Sequence, residues 1–233
     1  MIDLRGNIPV FLTITDGKVH DVKAAPLVPI EADGIYVVDR GYVDFAWLWC
    51  IHQTNAFFVT RLKTSIKWTR VLSHPVNKDL GLRADQEILL ASARLKKLYP
   101  QRLRKISFRD EIQGRTLVFI TNNFTLPADT IAALYKARWE IELFFKWIKQ
   151  HLRIKAFFGT SENAVKSQIW IAISVYVLVA IIKKRLDLTT DLYAILQILS
   201  LTLFEKTPLD QLLTDIHYKN ANSSMSNQLN LFD

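Results

Sequence analysis

The sequence has one cysteine, Cys50. A single thiol cannot build an internal disulfide framework, and such economy suits a reducing cytosol. In its setting, Trp47-Leu48-Trp49-Cys50-Ile51, it is expected to be a small core residue. There is no Cys-x-x-Cys pair, no histidine cluster, no P-loop and no dinucleotide fingerprint, which removes the site classes those signatures mark. The five histidines are scattered; His20 and His151 read as surface or packing residues rather than metal ligands. No internal repeat and no signal peptide are visible. The longest apolar run, Ile169–Ile182, is 14 residues long and includes Ser174 and Tyr176. About 20 are needed to span a bilayer, so a buried helix and no membrane partner are expected. Acid is also in deficit. Against 30 Lys and Arg stand 22 Asp and Glu, for a formal charge of +8 and a pI near 9.5. That balance favours a polyanionic partner.

What is present is ample apolar material: half of the 233 residues are hydrophobic. That suffices for one large domain, or one domain with an insertion. Ile2–Thr15 reads as two strands joined at Arg5-Gly6-Asn7, where Gly and Asn supply the turn. Val10–Ile14 belongs to the second strand, and Asp16-Gly17 makes another turn. Val19–Pro29 reads as a short helix cut by Pro26 and Pro29. Ile35-Tyr36-Val37-Val38 is a continuous apolar run, the mark of a strand buried on both faces. It ends in Asp39-Arg40-Gly41-Tyr42, and a helix over Val43–Gln53 follows, with Phe45, Trp47, Leu48 and Ile51 inward. A carboxylate at the C-terminal end of a central strand stands where open α/β sheets place their ligands; a turn or helix-capping aspartate is the alternative.

From Asn55 to Asn123 the chain reads as short strands: Phe57–Leu62, Trp68–Leu72, Glu87–Ala91, Lys105–Asp110 and Thr116–Thr121. Cations crowd this segment: Arg61, Lys63, Lys67, Arg70, Arg94, Lys96, Lys97, Arg102, Arg104 and Lys105. About half are expected to meet phosphates; the rest form solvated faces. Trp68 reads as a core residue of this β unit, with base stacking as the alternative. Glu162–Arg185 is the buried helix already named. Asp191–Phe204 and Leu209–His217 read as shorter covering helices, and Tyr218–Asp233, rich in Asn and Ser, as a mobile tail.

The stretch that organises the rest is Asp129–Leu152, predicted to be one long helix. At about 100° per residue, Tyr135, Arg138, Glu142, Lys146 and Lys149 fall within about 80° of one another. Ala137, Ile141, Phe144, Phe145, Ile148 and Leu152 form an apolar stripe beside them. Arg138–Glu142 and Glu142–Lys146 also satisfy the ordinary i,i+4 rule for solvated ion pairs.

Tyr135-x2-Arg138-x3-Glu142-x6-Lys149 resembles the Tyr-Arg-Glu-Lys signature of bacterial insertion-sequence transposases with a DDE catalytic domain. The surrounding YKARWEIELFFKWIKQHL, the block IYVVDRGY at Ile35–Tyr42 and the block DLRGNIPVFLTITDGKVHD at Asp3–Asp21 resemble that family too. The likeness covers about Ile2 to Leu213. It implies an α/β (α+β) fold: a ribonuclease-H-like mixed sheet flanked by helices, with a mostly β insertion before the helix carrying the last catalytic acid. The implied layout is a core at 1–55 and 124–186, a β-rich insertion at 56–123, C-terminal helices at 187–217 and a tail at 218–233.

The resemblance further implies DNA transposition and recombination by phosphoryl transfer at transposon ends. Asp39, as the second acid, and Glu142, as the last, would be catalytic residues and ligands of Mg²⁺ or Mn²⁺. Tyr135, Arg138, Lys149, Arg40 and Lys146 would bind DNA. Partners would be transposon ends, target DNA and a second copy in a synaptic homodimer, and the location would be cytoplasmic, at the nucleoid. One part of the pattern is missing. The family carries its first aspartate on the first strand, upstream of the block resembling DLRGNIP. Asp3, Asp16 and Asp21 do not stand in that context. The chain is therefore expected to be the C-terminal part of such a transposase, with an unpaired edge beside its central strands and no activity alone. The other reading is a truncated, non-catalytic DNA-binding or inhibitory partner of full-length transposase. Finally, Gln228, Leu229, Leu231 and Phe232 resemble a Gln-Leu-x-Leu-Phe peptide that docks on the bacterial sliding clamp.

Overall fold

The structure, a computed structural model, describes residues 1–15, 21–111, 114–152, 154 and 157–202. The expected turn at Asp16-Gly17, the helix at Leu209–His217, and the tail with its clamp-like peptide at Gln228–Phe232 lie outside the described residues. The chain divides into two compact units, Met1–Phe144 and Phe145 onward.

The first unit opens with a hairpin of β1 (Ile2–Asp3) and β2 (Ile8–Pro9). The two strands pair antiparallel, Ile2 opposite Pro9. Asn7 closes the turn in the left-handed region at φ 52°, a conformation Asn tolerates better than most residues. The expected strand over Val10–Ile14 does not form. β2 ends at Pro9, after which the Val10 and Phe11 amides both turn to the one Met1 carbonyl instead of continuing a ladder. Helix α1 (Asp21–Ala24) passes into a 3₁₀ turn at Ala25–Leu27, as the prolines suggested.

β3 (Ile35–Val38), β4 (Phe57–Arg61), β5 (Trp68–His74), β6 (Leu82–Leu90), β7 (Leu103–Asp110) and β8 (Arg115–Thr121) form one mixed sheet in the order β3-β4-β8-β7-β6-β5. Only β3 and β4 are parallel, with Val38 beside Thr60. Their connection is α2 (Phe45–Gln53), the helical crossover that parallel neighbours require. The strands of segment 56–123 thus extend the same sheet to which β3 belongs.

The sheet is covered on both faces. On one, α2 and α3 (Ala93–Leu98) enclose a core of Phe45, Leu48, Ile51, Phe58, Ile88, Leu103 and Ile120. On the other, α4 (Ala128–Ala137) packs Ile131, Ala132 and Tyr135 on Val59, Ile106, Leu117 and Phe119. The alternation of Phe58 with Val59, and of Phe119 with Ile120, follows the two-residue period of a strand. Burying such side chains contributes about 1.5–3 kcal/mol each.

Several expectations change. Ile35–Val38 is not central: among the described residues β3 is a sheet edge, and Ile35 is exposed. The β1–β2 hairpin forms its own small sheet and leaves that edge unpaired. Cys50 is exposed, because Trp47, Leu48 and Ile51 take the core face of α2. Arg104 and Lys105 are buried. Arg104 is tied to Asp85, and the Lys105 ammonium lies 4.4 Å over the Trp68 ring, so neither is free for phosphate. Trp68 itself packs against the core.

The predicted single helix over Asp129–Leu152 is two, α4 and α5 (Glu140–His151). They are separated by a tight turn at Arg138-Trp139, where the Arg138 and Trp139 amides reach back three residues, to Tyr135 and Lys136.

The second unit contains most of α5, with α6 (Glu162–Arg185) and α7 (Leu192–Thr202). The latter is the expected Asp191–Phe204 helix. Trp147 packs against His151 and Tyr176, and His151 against Tyr193, a packing role as expected for this histidine. α6 was expected to be buried. It buries Ala172, Ile173, Tyr176, Val179 and Ala180 but exposes Trp170, Ile171 and Leu178. Among the described residues it is one helix long and apolar enough to cross a membrane by length and composition alone. Flanking residues lengthen the 14-residue run to a helix of 24 residues.

Candidate active site

Asp39 stands just past the C-terminal end of β3, where it caps the 3₁₀ turn Arg40–Tyr42 by accepting from the Gly41 amide at 3.3 Å. The capping alternative is therefore realised, and it fixes the carboxylate at the sheet end rather than leaving it free. Two side chains from the far end of α4 reach it. The Tyr135 hydroxyl donates to Asp39 Oδ1 at 3.3 Å, and Arg138 Nε lies 3.5 Å from the same oxygen. Arg138 Nη2 also donates to Glu142 Oε1 at 2.8 Å, closing the i,i+4 pair. One guanidinium thus lies between two carboxylates far apart in the sequence.

The supporting geometry is local. Asn122, after β8, mimics a strand: its side chain accepts from the Phe58 amide and donates to the Ala56 carbonyl. Asn123 accepts from the Thr125 and Leu126 amides, turning the chain into α4. The Tyr135 ring then packs on Phe119, centroids 4.9 Å apart, so its hydroxyl emerges from the core at Asp39. Its ring and hydroxyl therefore belong to different parts of the molecule, one structural and one polar.

Charge follows from these contacts. Burial pushes the Asp39 carboxyl up, but the Gly41 amide, the Arg138 charge, the Arg40 amide and the Tyr135 hydroxyl outweigh it and hold it below the ordinary aspartate value. Burial raises the Tyr135 phenol, and the Asp39 charge raises it further. Burial alone would lower Arg138; its bond to Glu142 and the Asp39 charge reverse that. These shifts favour an ionised Asp39, a charged Arg138 and a neutral Tyr135 phenol at neutral pH.

Four of the residues expected to form a site, Asp39, Tyr135, Arg138 and Glu142, are brought together. Arg40 is exposed at the start of the 3₁₀ turn, and Lys146 and Lys149 are exposed on α5. The helical ridge predicted to unite Tyr135 with the later residues does not exist as such, since the turn at Arg138 separates two helices. Sequence reading missed Asn7, whose side-chain amide donates to Glu140 Oε2 at 3.0 Å and ties the hairpin to the start of α5. It also missed the contact of Asp39 with Arg138. No spacing rule joins positions so remote, and Asn7 carried only a turn signal.

Among the described residues, no group of three His, Cys, Asp or Glu side chains is arranged to hold a metal ion. Asp3, near the hairpin turn, is engaged by Arg5 at 3.1 Å. Asp39 and Glu142 do fit two positions around a hard divalent ion. They are oxygen donors that both contact the Arg138 guanidinium, and Mg²⁺ uses few carboxylates while retaining several waters.

Residues 1–178 match the family described as Transposase DDE domain. Three relatives are similar over most of the chain. "Putative transposase y4zB" of Sinorhizobium fredii is 36% identical over 208 residues, covering 88% of this chain and 58% of the relative. "Probable transposase for insertion sequence element IS5377" of Geobacillus stearothermophilus is 32% identical over 174 residues, 74% of this chain and 45% of the relative. "Putative transposase for insertion sequence element IS4SA" of Synechocystis is 25% identical over 200 residues, with shares of 78% and 51%. The chain spans about half the length of the curated relatives it matches. With the mixed sheet flanked by helices, consistent with a ribonuclease-H-like DDE domain, these matches show that the chain belongs to the bacterial insertion-sequence DDE transposases.

Proposed function

We propose that this chain carries part of a transposase catalytic site, with Asp39 and Glu142 as two of its acidic ligands for Mg²⁺ or Mn²⁺. The observation that carries the reading is the meeting of these two carboxylates at Arg138. When bound, divalent ions activate an attacking hydroxyl and stabilise the leaving oxygen of a phosphodiester. The chain's own residues supply the rest. Asp39 is anchored on the Gly41 amide, Tyr135 orients it, and Arg138, Arg40, Lys146 and Lys149 hold the DNA backbone by charge. The substrates are transposon ends and target DNA, held in a synaptic homodimer at the nucleoid, in the cytoplasm.

On this reading these 233 residues alone are expected to lack strand transfer, since Asp39 and Glu142 are two of the three acids that the family's chemistry uses. A second reading is that the chain binds DNA or full-length protomers and inhibits them. The test is cleavage of transposon-end DNA in Mg²⁺ or Mn²⁺. The 233-residue chain is expected to bind DNA without cutting it. A chain extended by the in-frame sequence upstream of Met1, where that supplies an aspartate-bearing strand, is expected to cut and to lose cutting on Asp39→Ala or Glu142→Ala. Cleavage by the extended chain that survives both substitutions overturns the catalytic reading. Metal-dependent cleavage by the 233 residues, lost on Asp39→Ala, overturns their inactivity.

A further inference from the structure

We propose that Arg138 is an internal stand-in for the divalent ion, so that DNA and metal bind cooperatively: a backbone phosphate draws the guanidinium away and leaves Asp39 and Glu142 open to the cation. The inference rests on the reading of those two acids as metal ligands.

Three observations carry it. First, Arg138 spans both carboxylates, 2.8 Å from Glu142 Oε1 and 3.5 Å from Asp39 Oδ1. A cation in that position neutralises the charge that would otherwise attract a metal ion. Second, the span is imperfect. Arg138 Nε is buried without a hydrogen-bond partner, and a buried unfilled donor is costly to leave so. A phosphate oxygen is a stronger acceptor and suits the guanidinium fork. Third, the side chain sits at a break in the helix, in a turn closed by i to i−3 hydrogen bonds. Such turns are places where helical segments reorient.

Linkage then fixes the sign. If DNA binding removes Arg138 from the carboxylates, the affinity of the carboxylates for a cation rises, and by reciprocity metal strengthens DNA binding by the same factor. The effect is bounded by the strength of the partly exposed ion pairs that must be broken.

The test uses Mn²⁺ as the probe, titrated into the 233-residue chain at neutral pH and followed by the loss of the free-ion electron paramagnetic resonance signal. Asp39→Asn defines binding at the site and subtracts ions held by DNA itself. Arg138→Gln is expected to bind Mn²⁺ about three- to tenfold more tightly than wild type, the range such ion pairs allow. Lys136→Gln removes the same charge from an exposed position on α4 and is expected to change affinity less. Duplex DNA is expected to tighten Mn²⁺ binding in wild type and to leave Arg138→Gln unaltered. Circular dichroism checks the fold; Arg138→Lys, whose single ammonium cannot span both acids, gives a smaller gain in the same direction if Arg138→Gln does not fold. Site-specific Mn²⁺ binding that is equal or weaker in folded Arg138 variants, or indifferent to DNA in wild type, overturns the stand-in role alone. Absence of any Asp39-dependent binding in every variant overturns metal binding by the 233-residue chain, and the stand-in role with it, while the catalytic reading is decided by the extended chain.

Discussion

Replacing Asp85 by alanine tests what positions the site. Arg104 and Asp85 form a buried bidentate pair, 2.9 and 2.7 Å between their atoms, with side chains 8% and 6% exposed. The third arm of the guanidinium donates to the carbonyls of Asn123 and Leu126. Those carbonyls belong to the turn that launches α4, and α4 carries Tyr135 and ends at Arg138. Asp85→Ala leaves a buried cation with carbonyl partners only. Breaking a buried pair in this way costs about 3–5 kcal/mol. Asp85→Leu combined with Arg104→Met removes both charges and is near neutral for the pair itself. The orphaned carbonyls then cost about 1–3 kcal/mol. The double variant is therefore expected to be more stable than Asp85→Ala, although it has lost more hydrogen bonds. Urea unfolding followed by far-UV circular dichroism measures both. Hydrogen exchange across α4 is expected to rise in the double variant, because the turn before it has lost its clamp. A loss below about 1 kcal/mol for Asp85→Ala, or a double variant less stable than the single, would refute the argument that this pair is a desolvated clamp.

Other outcomes follow from the cluster. Tyr135→Ala removes the ring packed on Phe119 and is expected to cost about 3–5 kcal/mol, whereas Tyr135→Phe loses only the bond to Asp39 and costs about 1 kcal/mol; equal costs in urea unfolding would contradict this division of roles. Because Asp39 titrates below its ordinary value of 3.8, its contribution to stability is complete above that pH and is lost as pH falls through the lower folded value. The gap in urea midpoint between wild type and Asp39→Asn is thus expected to hold steady from neutral pH down to that region and then close. Affinity for duplex DNA is expected to fall more than about tenfold between 50 and 200 mM salt, and Arg138→Ala with Lys149→Ala to reduce it; a salt-independent affinity in a filter-binding or anisotropy titration would rule out phosphate contact.

Much of the fold was legible because burial leaves periodic traces. Phe57–Leu62 and Thr116–Thr121 read as strands because both faces of β4 and β8 are covered, and α2 was visible in the spacing of Phe45, Leu48 and Ile51. Position within the sheet was not legible. The apolar run Ile35–Val38 looks alike in a central strand and in an edge strand whose inner face and end are covered, and only pairing distinguishes them. The cations of β7 misled for a related reason. Arg104 and Lys105 look like surface charge until their partners are known, and Asp85, Gln86 and Trp68 are partners only through the register of the sheet. Of the site, Arg138 with Glu142 could be read from one helical turn, while Asp39 with Arg138 depends on the whole sheet bringing the end of β3 to the end of α4.

The turn at Arg138-Trp139 shows how local and tertiary preferences divide the work. Neither proline nor glycine stands there, and Ala137, Arg138 and Glu140 are good helix formers, so local propensity favours one continuous helix. What opposes it is burial on the sheet side. Tyr135 is committed to Phe119, and that commitment fixes the end of α4. Beyond it the chain tightens to i to i−3 bonds and restarts at Glu140, which is held by Asn7 of the hairpin. In a straight helix Tyr135 and Glu142 would lie along one ridge, and the Tyr135 ring could enter the core only by turning the acid with it. The turn decouples them. Tyr135 can serve the core and touch Asp39, Glu142 can remain exposed, and Arg138, at the joint, is the residue able to reach both acids.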